Sequence, residues 1–424
     1  MPARAKFRRV LAASGPMKFL LVHQNFPGQF LHIVRHLVQS KQHEVVFLTE
    51  PNPNVIPGVR KVPYRKPPPG SPDTHWAVRE FDAALRRADI VGQTAANLKQ
   101  LGFTPDIIIG HHGWGEMLNL PDVWPGVPML GYMEFFYHTD GIDVGFDAEF
   151  PIPVADFPRV RAKNAVNHLA LDLGGHGQTP TEWQLSTYPA WAREQISLLA
   201  EGVDLTVCAP NPKGRTAKLK VGEATIGPEE KLVTYVARDL EPYRGFHVIM
   251  RALPHLLKAR KDLRVVIVGG DGVSYGGPAA NGTWRETMMA ELGGQIDLKR
   301  VLFPGRVDYT TYLGLLARSD AHVYLTYPFV ASWSLREALA SGCAVVGSDT
   351  QPVREFITHG RNGMLVPFFD TEALARQVIE VIEDQALSRR IRAGARRFAQ
   401  AHLAMGDYLA SYEALIRKLI ATRA

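Results

Sequence analysis

The sequence predicts an α/β protein with two domains, each built on a parallel β-sheet. Its 424 residues are enough for two or three separate cores. From residue 17 onward, short apolar runs alternate with stretches of helical periodicity, a pattern typical of parallel sheets covered by helices. The same alternation restarts at residue 231, after a polar stretch rich in turn formers. We therefore place a domain boundary between the two series.

The first series predicts an N-terminal domain over residues 17–207. Its apolar, β-rich runs predict four strands, at residues 17–23, 43–49, 106–112 and 128–134. Helical spacing is found at residues 30–38 and, after a proline-rich loop, at residues 77–101. Residues 1–16 are basic, and we expect either a disordered leader or a translation start at Met17.

The second series predicts a C-terminal domain over residues 231–404, joined to the first by a linker at residues 208–230. Its strands are expected at residues 231–238, 263–270, 321–327 and 344–348. A helix is expected over residues 245–260. A last helix, at about residues 407–420, carries apolar residues at core spacing.

Composition and charge restrict the classes of function. The net charge of +6 and the pI near 9.2 suit anionic substrates or an anionic bilayer surface, and the chain lacks the motifs of nucleic-acid-binding proteins. Cys208 and Cys343 are far apart, which indicates a reducing compartment and no disulfide framework. No apolar run approaches the ~18–20 residues of a membrane span. We expect a cytoplasmic protein without a nucleic-acid partner.

The most informative tract runs from residue 327 to residue 349. It has the pattern of a strand, a loop, a helix and another strand, and Ser332 or Ser334 can cap the helix. The N-terminus of a helix that follows a parallel strand suits a phosphate group. Glu337, one turn into the helix, could accept hydrogen bonds from ribose hydroxyls beside that phosphate. Ser334 and Glu337 also fit a capping box, which is a purely structural alternative.

This tract resembles the signature of glycosyltransferase family 4, retaining enzymes of the GT-B fold. In that family two glutamates eight positions apart frame the loop, the first contacting donor-sugar hydroxyls and the second the ribose. Glu337 matches the second glutamate, whereas Phe329 occupies the position of the first. The pattern Ser-Trp-Ser-Leu-x-Glu is similar to that of a bacterial subgroup. The resemblance places four further residues at the donor, namely Ser332, Trp333, Ser334 and Leu335.

Arg238 and Arg244 resemble the arginine and lysine with which the family clamps the donor diphosphate. A nucleoside-diphosphate leaving group gains negative charge as the glycosidic bond breaks. Fixed cations therefore stabilise the transition state more than the substrate. Arginine in place of lysine retains the charge and adds a second hydrogen bond. The alternative is that these are two solvated arginines around a turn.

Three further glycines and a valine extend the resemblance. Gly270 and Gly272 resemble the Gly-x-Gly that follows a strand near the donor, although their spacing does not fit a dinucleotide fingerprint. Val307 lies in the segment whose backbone holds the base in the family. Gly28 lies in the first strand-to-helix turn, where the family keeps glycines that face the donor phosphate and the acceptor.

Two side chains after the predicted strand at residues 128–134 are candidates for the reacting sugar. The family often has a histidine after this strand, which makes His138 the candidate and Glu134 its rival. A single histidine is more often structural than catalytic. His111 and His112 are adjacent and would point to opposite faces of a strand, so we expect no metal site there.

The resemblance implies two Rossmann-like domains facing across a cleft, with residues 405–424 crossing back to the N-terminal domain. It implies a retaining hexosyltransferase that moves sugar from a nucleoside-diphosphate sugar to a glycan, glycolipid or small-molecule acceptor. The chain has no Asp-x-Asp motif, so we expect neither a metal nor another cofactor.

Three questions stay open at this point. A nucleotide-sugar epimerase of the same fold and a catalytically silent partner in polysaccharide assembly are alternatives to transfer, and Phe329 favours the second of these. The helix near residues 30–42 has basic residues beside apolar ones, which fits either a membrane-docking surface at the inner face or an ordinary amphipathic domain helix.

Overall fold

The computed structural model describes residues 15–422 and contains two compact units. The first unit ends at Gly202 and resumes at Gly406, and the second unit covers Val203–Met405. Residues 208–230, which the sequence analysis treats as a linker, lie within the second unit. Of the predicted leader, residues 1–14 lie outside the described part of the chain.

The first unit contains a seven-stranded parallel sheet with the strand order β3-β2-β1-β4-β5-β6-β7. Its strands are β1 (Lys18–Val22), β2 (Glu44–Thr49), β3 (Val59–Pro63), β4 (Ile107–His111), β5 (Met129–Tyr132), β6 (His176–Thr179) and β7 (Ile196–Leu198). The four strands predicted in this half are present as β1, β2, β4 and β5. The strand order reverses between β1 and β4, so the carboxyl ends of these two strands form a topological switch point, where open α/β sheets bind ligands.

Seven α-helices connect these strands. They are α1 (Leu31–Gln39), α2 (Arg79–Gln100), α3 (Leu120–Val123), α4 (Phe157–Lys163), α5 (Ala165–Asp172), α6 (Glu182–Thr187) and α7 (Ala190–Arg193). The central strands are continuous apolar runs because helices cover both faces of a parallel sheet. Phe19, Leu20, Leu21 and Val22 of β1 are all fully buried as a result.

The second unit contains a six-stranded parallel sheet with the order β12-β11-β10-β13-β14-β15, and an antiparallel pair of β8 and β9. Its strands are β8 (Leu219–Val221), β9 (Ala224–Ile226), β10 (Lys231–Asp239), β11 (Leu263–Gly270), β12 (Val301–Gly305), β13 (Ala321–Tyr324), β14 (Val345–Ser348) and β15 (Met364–Val366). Here the order reverses between β10 and β13, which places the second switch point at their carboxyl ends.

The helices of the second unit alternate with its strands. They are α8 (Phe246–Ala259), α9 (Trp284–Leu292), α10 (Tyr309–Arg318), α11 (Trp333–Ala340), α12 (Gln351–Arg354), α13 (Thr371–Glu383) and α14 (Gln385–His402). Two parallel-sheet, Rossmann-like units confirm the predicted fold class.

The last helix, α15 (Met405–Ala421), belongs to the first unit, as predicted for the crossing helix. Tyr408, Tyr412 and Ile416 are buried on its packed face. Glu413 on this helix forms a hydrogen bond with His36 of α1, so a side-chain contact joins an early and a late segment of the chain within one unit.

Candidate functional site

The turn after β10 presents Arg244 at the carboxyl edge of the second sheet. The segment Pro242–Arg244 is a 3-10 turn that ends at Gly245, whose φ is 68°. A Cβ atom at Gly245 would lie 2.5 Å from the Cβ of Leu325, so a larger residue would push the turn away from β13. Glycine at this position is therefore required for both its backbone conformation and the close packing.

The guanidinium group of Arg244 is buried and fixed. Its Nη1 donates hydrogen bonds to Thr326 Oγ1 and to the Val330 carbonyl, each at 2.8 Å, and the residue is 6% exposed. The ring of Tyr275 lies 4.7 Å from its Cζ and 6.0 Å from the Cζ of Arg238, which is exposed. The alternative of two solvated arginines therefore does not describe Arg244, and the structure brings both predicted arginines to one aromatic ring.

Two buried carboxylates after β10 hold the glycine-rich loop that carries Tyr275. Glu241 is fully buried and accepts hydrogen bonds from three successive backbone N–H groups, those of Ser274, Tyr275 and Gly276, at 3.0–3.2 Å. Consecutive N–H groups of this kind form an anion-binding nest. The side chain of Glu241 thus supplies the anion that shapes this loop.

Asp239 is the second of these carboxylates. It accepts hydrogen bonds from Ser274 Oγ at 2.5 Å and from Arg306 Nη2 at 2.7 Å. Burial opposes its ionisation, but these hydrogen bonds prevail and hold the pKa of Asp239 below its ordinary value. A Cβ atom at Gly270 would lie 2.6 Å from Asp239 Oδ1, and one at Gly272 would lie 3.1 Å from it. The two predicted glycines therefore allow the loop to pack directly on Asp239.

Aromatic rings surround the position at which the family has its first glutamate. Phe329 is buried, with ring centroids 5.7 Å from Tyr243 and 5.3 Å from Tyr275. Tyr243 also lies 4.7 Å from Tyr327. Phe329 is therefore part of an aromatic cluster that is continuous with the ring over Arg244.

Glu337 faces a tyrosine, and the predicted capping box is not formed. Tyr309 Oη donates a hydrogen bond to Glu337 Oε1 at 2.7 Å, and the N-cap residue of α11, Ser332, makes no side-chain capping bond. Burial raises the pKa of Glu337, while the hydrogen bond from Tyr309 opposes the shift. Because Tyr309 follows Val307 by two residues, this contact brings the segment at Val307 and the start of α11 to one edge of the sheet.

The four residues predicted at the start of α11 differ in what they can offer a ligand. Ser332 Oγ lies 2.7 Å from Ser334 Oγ, and Ser332 also donates its backbone N–H to Tyr324 Oη. Trp333 is partly exposed. Leu335 is fully buried in the core of the second unit, and its N–H donates to the Ser332 carbonyl at 3.2 Å, so its side chain is not available to a ligand.

In the first unit, Gly28 packs against the histidine that ends the β1 segment. Gly28 has a φ of 55°, and a Cβ atom there would lie 2.9 Å from His23 Nδ1. His23 Nδ1 in turn accepts a hydrogen bond from the Asn25 N–H at 2.8 Å. The predicted glycine turn is therefore built around a buried imidazole.

The two candidates after β5 lie in different surroundings. His138 Nε2 forms a hydrogen bond of 2.7 Å with the carbonyl of Thr187, the last residue of α6. Glu134 instead places its Oε2 3.6 Å from Nε2 of His111, at the end of β4. The geometry thus gives His138 a backbone partner and gives Glu134 an ionisable one.

Further buried ionisable groups line this edge, and the sequence analysis assigned them no role. Glu116 is fully buried and accepts hydrogen bonds from the Gln24 N–H at 3.0 Å and from Tyr64 Oη at 3.3 Å. Burial raises the pKa of Glu116. Burial and the neighbouring His111 lower the pKa of His23 to about 3. In the sequence, these two residues are marked as candidates only by their position after an apolar strand.

Solved structures with the same fold cover nearly the whole chain. Sucrose-phosphate synthase from Thermosynechococcus elongatus superposes with a TM-score of 0.71 at 18% identity, covering 96% of this chain and 100% of that one. Anabaena HepE, solved in complex with UDP and glucose, gives a TM-score of 0.67 at 17% identity, covering 95% of this chain and 99% of that one. At these identities the similarity establishes the fold alone.

Two family models match separate parts of the sequence. The model of the glycosyl transferase family 4 group matches residues 41–208, and the model of glycosyl transferases group 1 matches residues 220–398. The chain is a glycosyltransferase of the GT-B type. Within residues 15–422 of this glycosyltransferase, none of the helices combines the length and the hydropathy that crossing a membrane requires.

Curated relatives of this glycosyltransferase are similar over part or most of its length. The phosphatidyl-myo-inositol mannosyltransferase of Mycolicibacterium smegmatis is 32% identical over 164 residues, which is 38% of each chain. The D-inositol 3-phosphate glycosyltransferase of Thermobispora bispora is 24% identical over 328 residues, covering 74% of this chain and 73% of the relative. The match to the first relative therefore spans well under half of that protein.

Proposed function

We propose that this glycosyltransferase is a retaining hexosyltransferase that takes its sugar from a nucleoside-diphosphate donor bound by the second unit. The observation that carries the proposal is the buried guanidinium of Arg244, fixed by two hydrogen bonds at the switch point of that sheet. A cation anchored in this way needs no reorganisation when charge develops beside it. The solved structure of HepE with UDP-glucose shows that a protein of this fold holds such a donor.

The donor diphosphate would lie against Arg238, Arg244 and the N-terminus of α11. The dipole of the helix favours negative charge at that end. The ring of Tyr275 lies over both guanidinium groups. The diphosphate would therefore either displace this ring or bind beside it. Gly270 and Gly272 keep the adjacent loop close to this position.

The nucleoside would lie between Glu337 and the segment at Val307. Glu337 accepts hydrogen bonds from the ribose hydroxyls, and Tyr309 holds its carboxylate in place from the other side. The backbone near Val307 contacts the base. Contacts made by the backbone carry no side-chain code, so the proposal extends to a nucleoside diphosphate and leaves the base open.

Retention would follow from attack of the acceptor on the same face of the sugar that the diphosphate leaves. The leaving phosphate takes the proton of the attacking hydroxyl, so the reaction uses no protein nucleophile. Arg238 and Arg244 neutralise the charge that a divalent metal neutralises in other nucleotide-sugar enzymes, and we propose that transfer is metal-independent.

The acceptor would be a glycan, a glycolipid or a small polyol, bound by the first unit near Glu134 and His138. Both similar relatives are named for reactions at inositol-bearing acceptors, which supports a hydroxyl-rich acceptor carrying a phosphate or a lipid phosphate. The net charge of +6 is consistent with an anionic acceptor.

Contact with an anionic membrane is part of the lipid-linked version of this proposal. Arg35 is exposed on α1, whereas His36 of the same helix is paired with Glu413 and is not free for a lipid headgroup. Sedimentation with vesicles rich in anionic lipid, at low salt, tests this contact. If the protein does not pellet with the vesicles, the lipid-linked version is rejected and a water-soluble acceptor is favoured.

A panel of UDP-, GDP-, ADP- and dTDP-sugars tests the donor proposal. We expect one nucleotide series to raise the melting temperature of the wild type, and the Arg244→Ala variant to lose that shift. Arg251→Ala is the matched control, since Arg251 forms a surface ion pair with Glu291 in the same unit. Retained nucleotide binding in both Arg238→Ala and Arg244→Ala would overturn the proposed clamp.

The second candidate function is a catalytically silent partner in polysaccharide assembly. Phe329 favours it, because a buried phenyl ring stands where the family has a sugar-binding carboxylate. Donor binding without transfer or hydrolysis across a broad acceptor panel would support this candidate. Transfer of sugar by the wild type, lost in Arg244→Ala, would exclude it.

A further inference from the structure

We propose that His111 positions the carboxylate of Glu134, and that the two side chains act as one unit on the reacting sugar. The proposal rests on the proposed glycosyl transfer and adds a role for a residue of β4 that the sequence analysis considered only as a metal ligand. Glu134 would be the residue that contacts the sugar. His111 would act through it.

The hydrogen bonds of His111 determine which nitrogen carries the proton. Its Nδ1 accepts a hydrogen bond from the Gly113 N–H at 3.0 Å. In the neutral ring the proton is therefore on Nε2. Nε2 lies 3.6 Å from Glu134 Oε2 and has no hydrogen-bond acceptor at bonding distance among residues 15–422. A shortening of about half an ångström would convert this contact into a charge-assisted hydrogen bond.

The His111 ring cannot easily turn away from Glu134. It is 2% exposed and is packed between the rings of His23, Tyr132 and Trp114, at centroid distances of 5.7, 5.4 and 6.2 Å. A Cβ atom at Gly113 would lie 2.8 Å from His111 Cε1, so the following turn also confines the ring. The Glu134 side chain is 26% exposed and is the less confined member of the pair.

Two other ionisable side chains, those of His23 and the buried Tyr188, also interact electrostatically with Glu134. Burial lowers the pKa values of His23 on the β1 side and of His112 on the following turn to about 3, so both rings are neutral at neutral pH. Glu116 is held by Gln24 and Tyr64 instead. Arg87 of α2 lies 3.7 Å from Glu50.

A carboxylate held in this way can accept a hydrogen bond from a sugar hydroxyl. A hydrogen bond from His111 Nε2, formed when this contact shortens, would favour the ionised form of Glu134 and orient its carboxylate. Without His111, the Glu134 side chain would sample more orientations. The loss would appear mainly in kcat, because the position of the sugar matters most in the transition state.

Two substitutions of His111 separate positioning from packing. In His111→Gln the side-chain amide can place an N–H near the former Nε2. In His111→Asn the side chain can replace only the acceptor for Gly113. We expect kcat/KM of His111→Gln to stay within about 3-fold of wild type and that of His111→Asn to fall by about 10- to 100-fold, with the acid limb of its pH profile displaced upward. Equal losses in both variants, with unchanged pH profiles, would overturn the proposal.

Glu134→Gln supplies the partner measurement. If the two residues act as one unit, the double variant His111→Asn/Glu134→Gln should lose no more kcat/KM than the more damaged single variant. Additive losses would overturn the proposal. His176→Gln is the control for loss of a histidine elsewhere in the sheet. His176 is the first residue of β6, and its Nε2 contacts Ser197 Oγ of β7.

A measurement that does not depend on activity distinguishes failure of this proposal from failure of the proposed function. Nitrogen-15 NMR of histidine-labelled protein reports the tautomer of His111, with wild type expected to carry the proton on Nε2. Glu134→Gln should shift the His111 Nε2 resonance and leave that of His176 unchanged. A shifted His111 resonance without detectable sugar transfer would support the His111–Glu134 pair and reject the proposed transferase function. An unchanged His111 resonance would reject the His111–Glu134 pair even in an active enzyme.

Discussion

The carboxyl edges of the two sheets carry different kinds of polar groups. In the first unit the strands end in buried histidines and carboxylates, among them His23, His111 and Glu116. In the second unit they end in arginines and in a loop whose backbone N–H groups are gathered by Glu241. One edge therefore combines buried imidazoles with carboxylates, and the other combines arginines with carboxylates that hold a loop.

This difference follows from what each edge is proposed to bind. A diphosphate carries fixed charge and calls for fixed cations, whereas a sugar hydroxyl calls for groups that accept or donate a proton. The same switch-point geometry serves both purposes, because the strand order decides where a ligand binds and the residues after the strands decide which ligand it is.

The largest expected effect is at the second edge, in Arg244→Ala. This variant removes a buried cation and leaves Thr326 Oγ1 and the Val330 carbonyl without their donor. We expect kcat/KM for the nucleotide sugar to fall by about 10²- to 10³-fold, the typical cost of losing one fixed electrostatic contact. Steady-state kinetics measures this loss, with Arg251→Ala as the control. A loss of less than tenfold would show that Arg244 does not stabilise the transition state.

The next effect concerns pH and the first edge. Burial lowers the pKa values of His23 and His112 from 6.5 to about 3, so their contribution to stability is present above pH 6.5 and is lost as the pH falls toward 3. At pH 4.5 each costs about 2–3 kcal/mol. Glu116, whose pKa burial raises, acts in the opposite sense and offsets part of this loss.

Pulse proteolysis in urea at pH 7 and pH 4.5, with fragments assigned to each unit, measures that loss. We expect the first unit to be destabilised more than the second, where His322 has its pKa lowered to about 4. His23→Gln should reduce the pH dependence of the first unit, and His322→Gln should affect only the second. Equal pH dependence of the two units would contradict the comparison.

Glu241→Gln tests the loop of the second unit. The amide oxygen can still accept hydrogen bonds from some of the three N–H groups, but the negative charge that strengthens those bonds is lost. The amide NH2 group would also face N–H donors, with which it cannot form hydrogen bonds. We expect a loss of about 1.5–3 kcal/mol in the free energy of unfolding, together with a raised KM for the donor. Thermal and urea unfolding measure the first effect. The exposed Glu291→Gln should be neutral, and a neutral Glu241→Gln would show that the loop holds its shape unaided.

A smaller effect is expected from Tyr309→Phe. It removes the hydrogen bond to Glu337 but keeps the ring and its packing on Tyr312. We expect nucleotide affinity to fall by about 3- to 10-fold, the range for a hydrogen bond to a partly exposed charged group. Calorimetric titration with the nucleoside diphosphate measures it, and Tyr312→Phe provides a comparison of similar size on the same helix.

The smallest expected effect is that of chelation. If Arg238 and Arg244 take the place of a metal, EDTA should leave kcat within about twofold of its untreated value. A loss of activity that Mg²⁺ or Mn²⁺ restores would show that the second edge needs a divalent ion in addition to its arginines.

Most of the fold could be predicted from periodicity, because buried parallel strands are continuous apolar runs. The strands β6 and β7 were missed because they are short and have polar residues, as in the segment His176–Thr179. The second unit begins at Val203, whose N–H bonds to the Leu403 carbonyl at 2.8 Å. A pairing between residues so distant in sequence leaves no local signal.

Site residues could be proposed from the sequence where a charged residue lies in a motif, and not where a charged residue only shapes a loop. Arg244 and Glu337 were predicted because their spacing resembles a known signature. Glu241 and Asp239 follow a strand in the manner of ordinary turn residues, and only the structure shows that they hold a loop more than 30 residues away in sequence. The proposed role of His111 depends on Glu134, which follows the neighbouring strand β5 and is not in the same motif.

The return of helix α15 to the first unit affects the order in which the chain can mature on the ribosome. The second unit is continuous from Val203 to Met405, so all of its segments emerge before the last helix is synthesised. The first unit, although translated earlier, has to wait for Tyr408, Tyr412 and Ile416 to complete its surface. Nascent chains should thus complete the second unit before the first, whereas the N-terminal domain of a chain usually folds first during synthesis.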